Sequence, residues 1–171
     1  MKLNSFAVRV ALTLMALFVA SAQGQQQSPT PALSISRNFD SINKNVLEMA
    51  QDFPADKYDF RPTKEVRSFG EVLVHVISGN VYAAKAGRGE RVNWDELNPK
   101  DFKGKADIVA ALQKSIADAD ATLKNTPEER FTKTLRPWID VIEHNAEHYG
   151  QLVVYYRVNG MVPPASRPKA K

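Results

Sequence analysis

Apolar residues recur along this chain at intervals of four and three, and no segment of comparable strength alternates with a period of two. Ile35, Phe39, Ile42, Val46, Met49 and Phe53 are spaced 4, 3, 4, 3 and 4. On a helix of about 3.6 residues per turn this spacing draws one apolar stripe, whereas a strand would scatter the same residues over both faces. The spacing predicts a helix over Ile35 to Phe53, stopped by Pro54.

Three further segments read the same way. Ser68 followed three residues later by Glu71 forms a capping box, and Val72, Leu73, Val76, Ile77, Val81 and Ala84 continue it to a stop near Gly87 to Gly89. Ile108, Leu112, Ile116, Ala119 and Leu123 predict a third helix over Asp107 to Lys124. The fourth starts near Pro137, a favoured first-turn residue, and ends at Asn159 and Gly160. The chain therefore reads as all-α, a four-helix bundle.

The connections narrow the topology. The first and second helices are joined by about 14 residues, the third and fourth by about 12, and the second and third by about 20. Twenty extended residues reach ~60 Å, against about 27 Å for an 18-residue helix. The middle connection can therefore cross the whole bundle and start the third helix parallel to the second. A stretch of that length without periodicity is functional or mobile.

The N-terminus has a basic start (Lys2, Arg9), an apolar stretch from Val10 to Ala20, and then Ala20, Ser21 and Ala22 followed by polar residues. This is the pattern of a secretory signal peptide cut after Ala22, and eleven residues fall short of the roughly 20 that a spanning helix needs. Residues 23–32, rich in Gln, Ser and Pro, read as a disordered linker. The organisation expected is signal peptide 1–22, linker 23–32, bundle 33–166 and basic tail 167–171, with the mature protein periplasmic or secreted.

Removing residues 1–22 takes away Lys2 and Arg9 and no acid, so the formal charge falls from +4 to +2. Such a balance, with Lys and Arg scattered, excludes nucleic-acid binding. About 149 mature residues suffice for one core without disulfides, and the chain has no cysteine. A thiol nucleophile, disulfide redox chemistry and a cysteine zinc site are thereby excluded. What remains for chemistry is imidazole, carboxylate, hydroxyl or a bound ion.

All three histidines fall on bundle-facing positions of two helices. His144 and His148 are four apart in the fourth helix, whose seam runs through Trp138, Val141, Ile142, Asn145, Tyr149, Leu152 and Tyr156; His75 borders the packed face of the second. Two imidazoles at i and i+4 can hold one ion, as in helical zinc sites, and neutral imidazole also suits nickel, copper or iron. The competing reading leaves the three as solvated or hydrogen-bonded core histidines. Trp94, Tyr149, Tyr155 and Tyr156 either line a pocket or belong to the core.

Residues 58–76 (YDFRPTKEVRSFGEVLVHV) and 144–164 (HNAEHYGQLVVYYRVNGMVPP) resemble the two signature segments of the DinB superfamily, over roughly Leu33 to Arg167. The resemblance implies an up-down-down-up bundle with a long crossover between the second and third helices. It also implies a divalent metal held by His75, His144 and His148, with Asn145 and Gln151 as supporting residues. Zinc is the ion expected, with nickel, manganese or iron as alternatives. Characterised relatives include thiol-dependent transferases and isomerases acting with bacillithiol, mycothiol or glutathione.

His144, Glu147 and His148 also spell the inverted zinc-protease pattern H-x-x-E-H, with Glu147 as general base. That pattern needs a downstream acidic ligand, and no Asp or Glu follows Glu147. Glu147 stays a candidate base beside a three-histidine ion; its other reading is a solvated helix carboxylate. Three nitrogen ligands without a fourth leave an open position, the arrangement of catalytic zinc sites. Two functions follow. One is a metal-dependent hydrolase or transferase acting on a small molecule; the other is a non-catalytic bundle in which the metal braces two helices for binding or interaction. The partners expected are a small-molecule substrate and a second copy of the chain in a homodimer, with no nucleic acid and, after cleavage, no membrane.

Overall fold

Residues 30–168 are described by a computed structural model; the expected signal peptide, the linker up to residue 29 and residues 169–171 of the tail lie outside the described residues. The four predicted helices are present, as α1 (Pro31–Asp52), α2 (Phe69–Gly87), α3 (Lys105–Asn125) and α4 (Leu135–Val158), and the described residues contain no strand. α1 begins two residues inside the stretch read as linker. Thr30 caps it through a hydrogen bond from the Leu33 amide, and Pro31 occupies the first turn, where a missing N–H costs nothing.

At the start of α2, the Glu71 amide donates to Ser68 Oγ and the Ser68 amide to Glu71 Oε2, completing the capping box. Leu135 and Arg136 precede Pro137 in α4, so the proline falls within the first turn rather than at its first residue. Gly160, at φ 71°, takes the left-handed conformation just past the end of α4. One helical turn, Glu128–Phe131, escaped the periodicity reading because four residues are too few to show a period. It buries Phe131 completely.

The helix directions follow from which ends meet. Phe53 at the end of α1 stacks on Phe69 at the start of α2, with ring centroids 3.8 Å apart, and packs on Tyr156 near the end of α4. At the opposite end, Phe39 of α1 meets Trp138 of α4 edge-on at 6.0 Å. Gly70 and Ile108 bring the starts of α2 and α3 together, and Arg88 just past α2 reaches Asp118 of α3. α2 and α3 thus run parallel, opposite to α1 and α4: the bundle is up-down-down-up. α1 and α2 each pack on both α3 and α4, so they face each other across the core.

The crossover, residues 88–104, traverses the bundle along α2. It is fastened mid-way by the Leu97 amide, which donates to Ser78 Oγ of α2. The C-terminal segment is fastened too. Arg167, the first residue of the expected basic tail, grips Asp52 of α1 with both terminal nitrogens at 2.8 and 2.5 Å, because the turn after Gly160 folds the chain back onto the end of α1.

The core divides into two apolar clusters, one around Phe53, Phe69, Leu73 and Tyr156, the other around Phe39, Leu123, Phe131 and Trp138. In the core there is also a polar group that no apolar stripe predicts. Asn43 of α1, Asn80 of α2 and Asn145 of α4 are fully buried, and Ser115 of α3 nearly so. Each helix supplies one residue. Asn80 Nδ2 donates to Asn43 Oδ1 and Ser115 Oγ, both at 3.3 Å, and Asn145 Nδ2 donates to Asn43 Oδ1 at 3.1 Å and Asn80 Oδ1 at 2.9 Å.

Candidate metal centre

His75 lies in the second turn of α2, and His144 and His148 face it from successive turns of α4. Ring centroids are 4.7 Å apart for His75 and His144, 4.7 Å for His75 and His148, and 4.5 Å for the helix-4 pair. One ring nitrogen of each lies within 4.8 Å of the other two, the separation that a single ion can bridge. The i, i+4 spacing aligned the pair on α4; the antiparallel packing of α2 on α4 delivers His75.

Each imidazole is held by its Nδ1. His75 Nδ1 donates to Glu96 Oε1 at 3.0 Å, His144 Nδ1 to Asn145 Oδ1 at 3.0 Å, and His148 Nδ1 to Gln151 Oε1 at 2.9 Å. In each ring this leaves Nε2 with the lone pair. Asn145 and Gln151 were expected near the site from the sequence. Glu96 was not, and it comes from the crossover; its carboxylate also takes Arg67 Nη2 at 3.0 Å.

His144 Nε2 is buried and has no hydrogen-bond partner. An unsatisfied buried nitrogen costs about 1–3 kcal/mol. A cation bound to the three imidazoles removes that cost, and the donor set, three neutral imidazoles each hydrogen-bonded through its other nitrogen, is the one metal sites use. Neutrality is favoured by the surroundings. Burial pushes His144 down to about 4, aided by the neighbouring imidazoles and the Arg67 guanidinium. His75 is lowered as well, chiefly by burial and then by Arg67 and His148, against an opposing pull from Glu96. The three-histidine cluster is thus consistent with a metal ion.

The space around the rings is shaped by a missing side chain. A Cβ at Gly79 would lie 3.0 Å from His144 Nδ1, 3.1 Å from its Cε1 and 3.2 Å from Trp94 Cη2. Glycine at this position lets the His144 ring and the Trp94 indole approach the α2 backbone. Trp94, 43% exposed, covers the site from the crossover, with its ring centroid 5.5 Å from His75 and 5.2 Å from His144.

Residues 38–155, from α1 to near the end of α4, match the family model of the DinB superfamily. The chain belongs to the DinB superfamily. No curated protein matches it. The matched region contains all three histidines of this DinB-superfamily chain, together with Asn145, Gln151 and Glu96.

Glu147 does not belong to the three-histidine group. It is exposed on α4, and among the described residues no hydrogen bond or ion pair joins it to the histidines. Tyr155 and Tyr156 are core residues: Tyr156 Oη donates to the Met49 carbonyl and Tyr155 Oη to the Arg67 carbonyl. Tyr149 is half-buried against the first apolar cluster. Of the aromatic residues considered for a pocket, Trp94 borders the histidines. Glu96 carried no periodic signal, lying in an irregular loop. Its only mark in the sequence was its place in the longest irregular stretch.

Proposed function

We propose that this DinB-superfamily protein binds one zinc ion through His75, His144 and His148 and uses it on a small molecule, by hydrolysis or by transfer to a thiol. The observation that carries this reading is the buried, unpartnered Nε2 of His144, facing two imidazoles whose Nδ1 atoms are already engaged. Three nitrogen ligands favour zinc and leave a coordination position open. A divalent ion at such a site acidifies water or a thiol, or polarises a carbonyl. A cleft of about 420 Å³ beside His144, lined by Tyr82, Val92, Asn93, Trp94, Asp140 and Val141, has room for a small substrate. Its lining joins aromatic and apolar side chains to the Asn93 amide, the Asp140 carboxylate and the His144 imidazole.

The N-terminal pattern supports export, and no helix among the described residues is long and apolar enough to cross a membrane. Export separates the protein from the cytosolic thiol pool, which favours water as the nucleophile. A native chain that still carries Met1 or Lys2 by mass spectrometry contradicts export; one beginning near Gln23 supports it.

Turnover of ester, amide and thiol-transfer substrates, screened with and without chelator, tests the catalytic reading. Chelator-sensitive turnover supports it. The non-catalytic reading draws on one observation, that Glu96 ties the crossover to a metal-facing histidine, so that an ion would brace α2, α4 and the crossover together. Loss of the helical circular-dichroism signal on chelation at room temperature, with no turnover of any substrate, favours that reading.

A further inference from the structure

The hydrogen bonds behind the histidines have a direction, and it originates at groups that cannot donate. Asn43 Nδ2 donates to the Phe39 carbonyl at 3.0 Å, so its Oδ1 is left to accept. Ser115 Oγ gives its proton to the Leu112 carbonyl at 2.9 Å, so it too accepts. The amide nitrogen of Asn80 faces both acceptors, at Asn43 Oδ1 and Ser115 Oγ, which turns Asn80 Oδ1 toward Asn145. Asn145 then donates to two oxygens, those of Asn43 and Asn80. Its own Oδ1 is the only atom left for His144, and an amide oxygen accepts.

A second chain has the same logic. Tyr155 Oη donates to the Arg67 carbonyl, so it accepts from Gln151 Nε2 at 3.5 Å, and Gln151 Oε1 is turned toward His148 Nδ1. For His75 the acceptor is the Glu96 carboxylate itself.

We propose that Asn43, Asn80, Ser115 and Tyr155 are positioning residues that fix the tautomers of His144 and His148, so that both carry their proton on Nδ1 and point a bare Nε2 inward before any ion arrives. Free imidazole has both tautomers available, and a ring protonated on Nε2 must lose that proton to bind. The buried amides are therefore more than core filler: a reversed amide at 145 would set its one oxygen against both the Asn43 and the Asn80 oxygens and turn its nitrogen toward His144. The arrangement also explains why one polar residue from each of four helices converges in a core that apolar side chains would fill.

The tautomer half of the proposal is independent of the metal reading; the affinity half rests on it, and the two are measured separately. Nitrogen-15 chemical shifts of the imidazoles in metal-free protein at pH 7.5 report which nitrogen carries the proton. The expected result is Nδ1–H at His144 and His148. In the double variant Asn43→Leu with Asn80→Leu, Asn145 loses both acceptors, His144 gains a population protonated on Nε2, and zinc affinity falls about 10–100-fold. Tyr155→Phe, a smaller change, does the same at His148 and leaves His144 unaltered. Leu123→Ala, buried in the other apolar cluster, lowers the melting temperature but moves neither tautomer. Nε2–H at either histidine in the wild-type protein overturns the proposal. So do folded variants whose tautomers match the wild type. If the double variant fails to fold, the wild-type spectrum and Tyr155→Phe decide the matter. If neither the wild type nor any variant binds zinc, the metal reading fails while the tautomer result stands by itself.

Discussion

Glu96 accepts a hydrogen bond from Nδ1 of His75 at 3.0 Å, and with that contact the crossover becomes part of the histidine cluster. The same carboxylate holds Arg67 Nη2 at 3.0 Å, so its charge is partly balanced on the solvent side. The pair with Arg67 is exposed and contributes ~0–1 kcal/mol to stability. Its effect on the orientation of His75 is the larger consequence. A carboxylate behind a ligating imidazole fixes the ring and raises its basicity.

Glu96→Ala should therefore weaken zinc binding about 10–100-fold while changing the melting temperature of the metal-free protein little. Glu96→Gln retains an acceptor and should lose less. Competition titration with a chromogenic chelator measures both. Equal affinities for wild type and Glu96→Ala would show that the crossover is not coupled to the site.

Gly79→Ala sets two effects against each other. Alanine favours a helix over glycine by about 1 kcal/mol, but here its Cβ would press on the His144 ring and the Trp94 indole at 3.0–3.2 Å. The rings are the parts able to move. The expected outcome is a metal-free protein of similar or greater thermal stability with at least tenfold weaker zinc binding, read by calorimetric titration alongside melting curves. Affinity unchanged in the variant would mean that the His144 position is not set by the α2 backbone.

Much of this was legible in the sequence, for reasons that also mark the limit. His144 and His148 were readable as a pair because i, i+4 spacing lies within one helix, and Asn145 and Gln151 lie within one turn of them. The bundle followed from stripes such as Ile35 to Phe53, and the crossover from its length. Glu96 and Trp94 reach the histidines by the path of an irregular loop, which no period encodes. Asn43, Asn80 and Ser115 matter only because four helices meet at one level, a tertiary fact. Glu147 is the reverse case: its place in H-x-x-E-H offered a general base beside a solvated helix carboxylate, and its exposed position on α4 agrees with the second.

The metal-free protein should lose stability as pH falls from about 6.5 to 4. In the unfolded chain the imidazole at 144 takes a proton near 6.5, whereas burial delays that proton to about 4 in the folded state. Between these values the unfolded state binds more protons, so protonation favours unfolding. One such site contributes at most about 1.4 kcal/mol per pH unit, and less where solvent reaches it. Urea unfolding of chelated wild type and of His144→Gln across this window tests the sign: the wild type should show the steeper fall. Parallel curves would contradict burial of a neutral His144.

Metal stoichiometry decides whether three imidazoles from two helices hold one ion. Zinc-loaded wild-type protein, desalted and analysed by mass spectrometry of the metal, should retain one ion per chain, and His75→Ala, His144→Ala and His148→Ala should each retain far less, to a similar degree. A His75→Ala protein that keeps one ion per chain would contradict the shared site and confine any binding to the pair on α4.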